Sequence, residues 1–169
     1  MTLQTLANYA EIIGAGSILT GLVFGLMQLR YWRQQQRDNV AANLTQTFYS
    51  RDLAEALALL QPVPDGISLE ELRAMGPEYT AAAITVTTSF ETMGLLVYKG
   101  VAPLQLVEDL CGGIITTMHR KLGKWQEDMR VEQDQPSWGE WFTWLDMQAS
   151  RNKRAREPAH IRHRDWSPR

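Results

Sequence analysis

A chain of 169 residues, 44% hydrophobic and 21% charged, allows one domain of ordinary size, and nothing in it suggests two soluble domains. Its lone cysteine, Cys111, excludes an intrachain disulfide and agrees with a reducing compartment, and its negative mean hydropathy argues against more than one membrane span. The formal net charge of −2 hides an asymmetry: Arg30, Arg33 and Arg37 form one basic cluster and residues 151–169 carry seven Lys/Arg against two acids, while residues 38–150 carry seven basic against sixteen acidic residues.

Residues 12–29 contain no charge and run directly into Arg30-Tyr31-Trp32-Arg33. At about 1.5 Å per helical residue, the distance from Tyr9 to Trp32 is roughly 33 Å, which sets aromatic rings at both edges of a hydrocarbon core about 30 Å thick. A transmembrane helix over residues 12–32 follows, with Tyr9, Arg30, Tyr31, Trp32 and Arg33 at the membrane interface. Residues 1–11 hold no basic side chain, so the run does not read as a cleaved signal peptide. Arginines after the span, against Glu11 alone before it, place the N-terminus outside and the bulk of the chain in the cytoplasm.

Residues 33–150 read as a helical cytosolic domain into which the anchor continues. Ser50 is a candidate N-cap for the amphipathic run Leu53, Ala56, Leu57, Leu60, which Pro62 to Gly66 stops. Ser68-Leu69-Glu70-Glu71 reads as a capping box opening a short helix that ends near Gly76. Pro77 suits the first turn of a helix running to Lys99, ended by Gly100. Pro103 opens another, through Leu106, Leu110, Ile114, Met118, Leu122 and Trp125 to about Arg130, with an expected interruption at Gly112-Gly113. The last helix is expected from near Ser137, carrying Trp138, Trp141, Phe142, Leu145 and Ala149. Residues 151–169, with two prolines and most of the remaining arginines, read as a mobile basic tail. No strand-like alternation of useful length interrupts this pattern, so the fold class is all-α.

On a helical wheel at about 100° per residue, with Ser17 at zero, Gly21 falls near ~40°, Gly25 near ~80°, Gly14 near ~60° and Gln28 near ~20°. All five share one face, and Leu19, Leu22, Val23 and Leu26 lie opposite. Two consecutive small-xxx-small steps let helix backbones approach closely in lipid, and Gln28 adds a hydrogen-bonding group that prefers a protein or water partner. With one span per chain, this packing face must meet another chain, and a homo-oligomer is the simplest arrangement.

Signals for catalysis are sparse. His119 lies in Met118-His119-Arg120-Lys121 and reads as a polar-face residue. His160 and His163 are spaced for one helical face but have no acidic or cysteine partner at ligand spacing, so no metal and no cofactor are expected. The tryptophans Trp138, Trp141 and Trp144 read as core or interface. For the basic tail, anionic lipid is the expected partner, with nucleic acid and the acidic body of the same or a neighbouring chain as the alternatives.

Ser89-Phe90-Glu91-x-x-Gly94-x-Leu96-Val97-x-x-Gly100, followed by Leu106-Val107 and then Trp125, Arg130 and Trp138-x-x-Trp141-x-x-x-Leu145, resembles a family of uncharacterised bacterial single-span membrane proteins with a cytosolic helical domain. The resemblance implies a fold and no activity. In layout the chain is also similar to small membrane accessory proteins of RNA-targeting CRISPR systems, which implies an oligomeric, pore-like effector in antiviral defence. Arg154 and His160 satisfy the loose Arg-x(4 to 6)-His spacing of HEPN ribonucleases, the enzymatic alternative. The reading these residues favour is a membrane-anchored assembly or interaction protein.

Overall fold

The computed structural model describes residues 14, 16–32, 35, 39, 46, 50–155 and 157–167, and these form helices and turns with no strand. The chain divides into two units, Met1–Val40 and Ala41–Arg169. In the first, helix α1 is described continuously over residues 16–32 and exposes its side chains throughout. Thr20 donates its hydroxyl to the Gly16 carbonyl at 2.8 Å, so this polar group is satisfied within its own helix. Tyr9 and Arg33 lie outside the described residues.

The second unit is a bundle of five helices with a short sixth at its end: α2 (Arg51–Leu60), α3 (Leu69–Met75), α4 (Pro77–Tyr98), α5 (Leu104–Glu132), α6 (Glu140–Ala155) and α7 (Ala159–Arg162). Ser50 caps α2 by accepting the Leu53 amide, and Leu53, Ala56 and Leu60 turn into the core. The capping box of α3 forms as the spacing requires, with Ser68 Oγ accepting the Glu71 amide at 3.2 Å and Glu71 accepting the Ser68 amide at 2.9 Å. A third acceptor reaches the same helix start, because Asp128 of α5 takes the Leu69 amide at 3.0 Å. Arg73 then pairs with both oxygens of Glu132 at 2.7 Å, which fixes α3 along the C-terminal half of α5.

Among the described residues, α4 is the one helix long and apolar enough to cross a membrane; of the span expected over residues 12–32, the continuously described run of α1, residues 16–32, does not reach that length. Packing accounts for part of the apolar composition of α4. Ala83, Val86 and Phe90 are fully buried and Met93 and Gly94 nearly so, with α2 on one side and α6 on another. The buried residues of α4 share one broad face, while Ile84, Leu95 and Tyr98 on the remainder stay exposed, so α4 is a core helix whose outer side is also apolar. Burial of a Phe-sized side chain contributes about 2–3 kcal/mol, so Phe90, Phe142 and Trp125 anchor the α4, α5 and α6 core.

Three features of these helices differ from expectation. Helix α5 runs unbroken through Gly112 and Gly113. A mid-helix glycine costs about 1 kcal/mol, which the long buried stripe from Val107 to Met129 overrides. Helix α6 begins at Glu140, not near Ser137, because Gly139 has φ +67°, a left-handed conformation that cannot belong to the helix. At its other end α6 continues through Ser150 to Ala155, and Asn152 donates to Glu108 of α5 at 2.6 Å.

Candidate functional site

The most specific geometry in the second unit is the junction of α4, α5 and α6. Gly94 permits it: a Cβ there would lie 2.8 Å from the carbonyl carbon of Trp141, so the two backbones touch. One turn earlier on α4, Glu91 accepts the Phe142 amide at 2.8 Å, and its carboxylate supplies an acceptor to the first turn of α6, where free amides point outward. Phe90 and Phe142 pack with ring centroids 5.0 Å apart between them.

Helix α5 closes the junction through Arg130, which donates to the Trp138 carbonyl at 2.7 Å, the Gly139 carbonyl at 3.3 Å and Thr143 Oγ1 at 2.9 Å. Trp125 meets Trp138 edge to face at 5.0 Å. Gly139 is buried beneath Gln126 and Thr87, and a Cβ on it would stand 3.2 Å from Gln126 Oε1. Thr87 Oγ1, Trp125 Nε1 and Gln126 Nε2 are buried here without a hydrogen-bond partner. Such groups cost about 1–3 kcal/mol each, so the junction is held by its packing and by the Arg130 fork against a local polar deficit.

His119, read from the sequence as a polar-face residue, is drawn into this network. Its Nδ1 lies 3.1 Å from Asp146 Oδ2 and its Nε2 lies 3.4 Å from Thr143 Oγ1, with its ring edge-on to Phe142. Carboxylate, imidazole and hydroxyl in this order are the components of a nucleophilic triad. The hydroxyl is crowded, however: Thr143 Oγ1 also stands 3.0 Å from the Gly139 carbonyl and 3.3 Å from Gln126 Oε1, in addition to the Arg130 contact. A nucleophile must present a free lone pair to an approaching carbonyl or phosphorus, and this oxygen is ringed by its own helix and by α5. The arrangement therefore stitches α5 to α6. Cys111 is likewise unsuited to attack, since burial pushes its thiol up to about 12 and its Sγ–H donates to the Val107 carbonyl.

A cleft of about 600 Å³ lies between α5, α6 and α7, with Gly112 and Gly113 on one wall and Glu108, Asp109, Arg162 and His163 among its polar groups. Of the pair proposed for ribonuclease chemistry, His160 is exposed on α7, and Arg154 sits in the last turn of α6 with its side chain outside the described residues. Among the described residues no group of three or more His, Cys, Asp or Glu could hold a metal ion.

In the first unit, Gly14, Ser17, Gly21, Gly25 and Gln28 are all exposed, and a Cβ at Gly14, Gly21 or Gly25 would meet nothing within 4 Å. Gly25 and Gln28 share a shallow hollow with Leu29 and Trp32. Leu19, Phe24 and Met27 are 64%, 65% and 65% exposed, and Arg30, Tyr31 and Trp32 follow them at the end of the described run. Sequence reasoning missed the Glu91, Arg130 and His119 contacts. The only signal available was that Glu91 and Arg130 belong to the residue pattern that carries the family resemblance.

A family model described as a domain of unknown function, DUF4760, matches residues 4–147, and the chain belongs to that family. The match takes in the apolar N-terminal run together with α2 to α5 and half of α6, and stops before the basic tail. No curated protein and no solved structure matches the chain.

Proposed function

We propose that this member of the DUF4760 family is a membrane-anchored helical assembly protein of a bacterial inner membrane, with its N-terminus outside and its helical unit in the cytoplasm. The observation that carries the reading is α1: a helix whose Leu19, Leu22, Phe24, Leu26 and Met27 stand more than half exposed, in a chain whose second unit has a closed core of its own. Exposed apolar side chains in such number call for lipid or another chain. The apolar run falls inside the residues that the family model matches, which supports treating it as part of the working unit. Arg30 and Trp32 then sit at the cytoplasmic headgroups, and Gly14, Ser17, Gly21, Gly25 and Gln28 form the face on which copies of the chain meet.

The test is a pair of C-terminal fusions and a mass. A reporter that fluoresces only in the cytoplasm is expected to be bright, a phosphatase active only outside it to be silent, and the gently solubilised protein to run as a multiple of 19.2 kDa. The opposite reporter pattern, or a monomer in every mild detergent, overturns the reading.

A further inference from the structure

Resting on that membrane reading, we propose that residues 159–166 form a second membrane contact, a cationic and aromatic turn that docks on anionic lipid headgroups. The segment is ordered by its own backbone. Ile161 and Arg162 amides both bond the Pro158 carbonyl at 3.0 Å, His163 bonds Ala159 at 2.9 Å, Arg164 bonds Ile161 at 3.3 Å and Trp166 bonds His163 at 3.1 Å. Eight residues thus hold an unbroken series of turns. Trp166 is 71% exposed and Ile161 39%, beside the exposed side chains of His160, Arg162, His163 and Arg164, with Asp165 as the single acid among them.

Three physical arguments select the occupant. An indole and an aliphatic side chain five positions apart, interleaved with guanidinium groups, match the headgroup boundary of a bilayer, where an apolar body meets hydrocarbon and the charges meet phosphate. Residues 38–150 carry a strong acidic excess that an anionic surface repels, so attraction beyond that of Arg30, Arg33 and Arg37 beside the anchor has to come from residues 151–169 with their seven basic residues. Finally, a chain that carries its own anchor presents this turn to a membrane at high effective concentration, which lets a weak contact persist. A nucleic acid would use the arginines and the indole but gives Ile161 no role.

The experiment uses the full chain in nanodiscs of phosphatidylcholine, with or without a third of phosphatidylglycerol. Ser167→Cys, next to Trp166, is labelled with a polarity-sensitive fluorophore; Cys111 is 3% exposed with its thiol pushed up to about 12 and stays unlabelled in the folded protein. The expected result is a blue shift of the probe in the anionic discs alone, lost on raising salt, lost in the Arg162→Glu, Arg164→Glu double variant and reduced by Trp166→Ser. Equal emission in both discs overturns the proposal. So does a shift produced by single-stranded RNA added to neutral discs with none from phosphatidylglycerol, which would assign the turn to nucleic acid. Retention of the chain in the discs at high salt is scored separately: retention without a probe shift removes only the second contact, whereas a chain washed out by salt overturns the anchor as well.

Discussion

Gly94 of α4 and the backbone of Trp141 in α6 touch, with the place of a Gly94 Cβ only 2.8 Å from the Trp141 carbonyl carbon. The obstacle is main chain, which cannot swing aside as the end of a side chain can. Gly94→Ala therefore forces α4 and α6 apart, stretching the Glu91 bond to the Phe142 amide and the Phe90–Phe142 contact. Overpacking of this kind costs about 1–3 kcal/mol, and the backbone obstacle puts Gly94→Ala at the upper end. Denaturant unfolding followed by helical signal is expected to show a clearly lowered midpoint, with Gly112→Ala, whose Cβ would meet only Glu108 Cβ at 3.7 Å, neutral or stabilised as a control.

Arg130 reaches three acceptors, the carbonyls of Trp138 and Gly139 and the hydroxyl of Thr143, with one planar fork. Arg130→Met leaves these groups at a partly buried junction without their charged donor, at a cost of about 2–3 kcal/mol. Arg130→Lys keeps the charge but offers a single nitrogen, so it restores only part of the loss. Thermal melting of the two variants checks the order: Met lowest, Lys between, parent highest. Equal melting of Lys and parent would show that charge alone, without the fork, holds the α5–α6 turn.

The helical order of the second unit was legible because its signals are local. Ser68 and Glu71 satisfy each other's amides within four residues, Pro77 and Pro103 fall at helix starts, and Gly100 has the positive φ, +69°, that ends α4. The junction was not legible because its partners are far apart in sequence: Glu91 meets Phe142 and His119 meets Asp146 only when three helices have packed. Gly112 and Gly113 misled for the same reason, since local propensity predicts a break where burial of Cys111 and Ile115 keeps the helix intact. In α1 the small-residue face could be placed from spacing alone, because a helix wheel needs no tertiary information.

Three carboxylates predict how the second unit responds to acid. The Asp128 carboxyl is held below its ordinary value by the Lys124 ammonium and then by the Leu69 amide, Glu132 by Arg73, and Glu71 by the Ser68 amide and hydroxyl. Each has a folded pKa below its unfolded one, so its contribution is fully present at neutral pH and is lost as pH falls out of the ordinary carboxylate range and through the lower folded value. Stability is therefore expected to be flat from neutral pH to about 5 and to fall below that. Asp128→Asn removes one of the titrating groups: the variant is less stable than the parent at neutral pH, and the gap narrows as the pH drops below about 4. Because Lys124 is exposed and Asp128 only half-buried, raising salt shrinks the gap at neutral pH, where both groups are charged. A gap that stays constant from pH 7 to 3 would show that Asp128 acts only through shape.

Substitution in α1 separates an anchor from an assembly surface. A Cβ at Gly21 or Gly25 meets nothing within 4 Å, so leucine at either place clashes with no part of its own described chain. Any effect of Gly21→Leu with Gly25→Leu on assembly must therefore arise where α1 meets another molecule. Leucine adds apolar surface, which favours insertion in lipid, and at the same time fills the hollow that small residues leave for a close backbone approach. Membrane fractionation is expected to find the double variant inserted as well as the parent, while cross-linking and native mass show a shift toward the monomer. Leu22→Ile with Leu26→Ile, on the opposite face, conserves volume and should leave the mass unchanged. If the glycine variants keep the parent's stoichiometry and its resistance to dissociation, α1 is an anchor alone. Assembly, if the mass still shows it, would then rest on the helical unit, where Tyr98 and Trp141 stack at 4.5 Å at the surface with Tyr98 57% exposed.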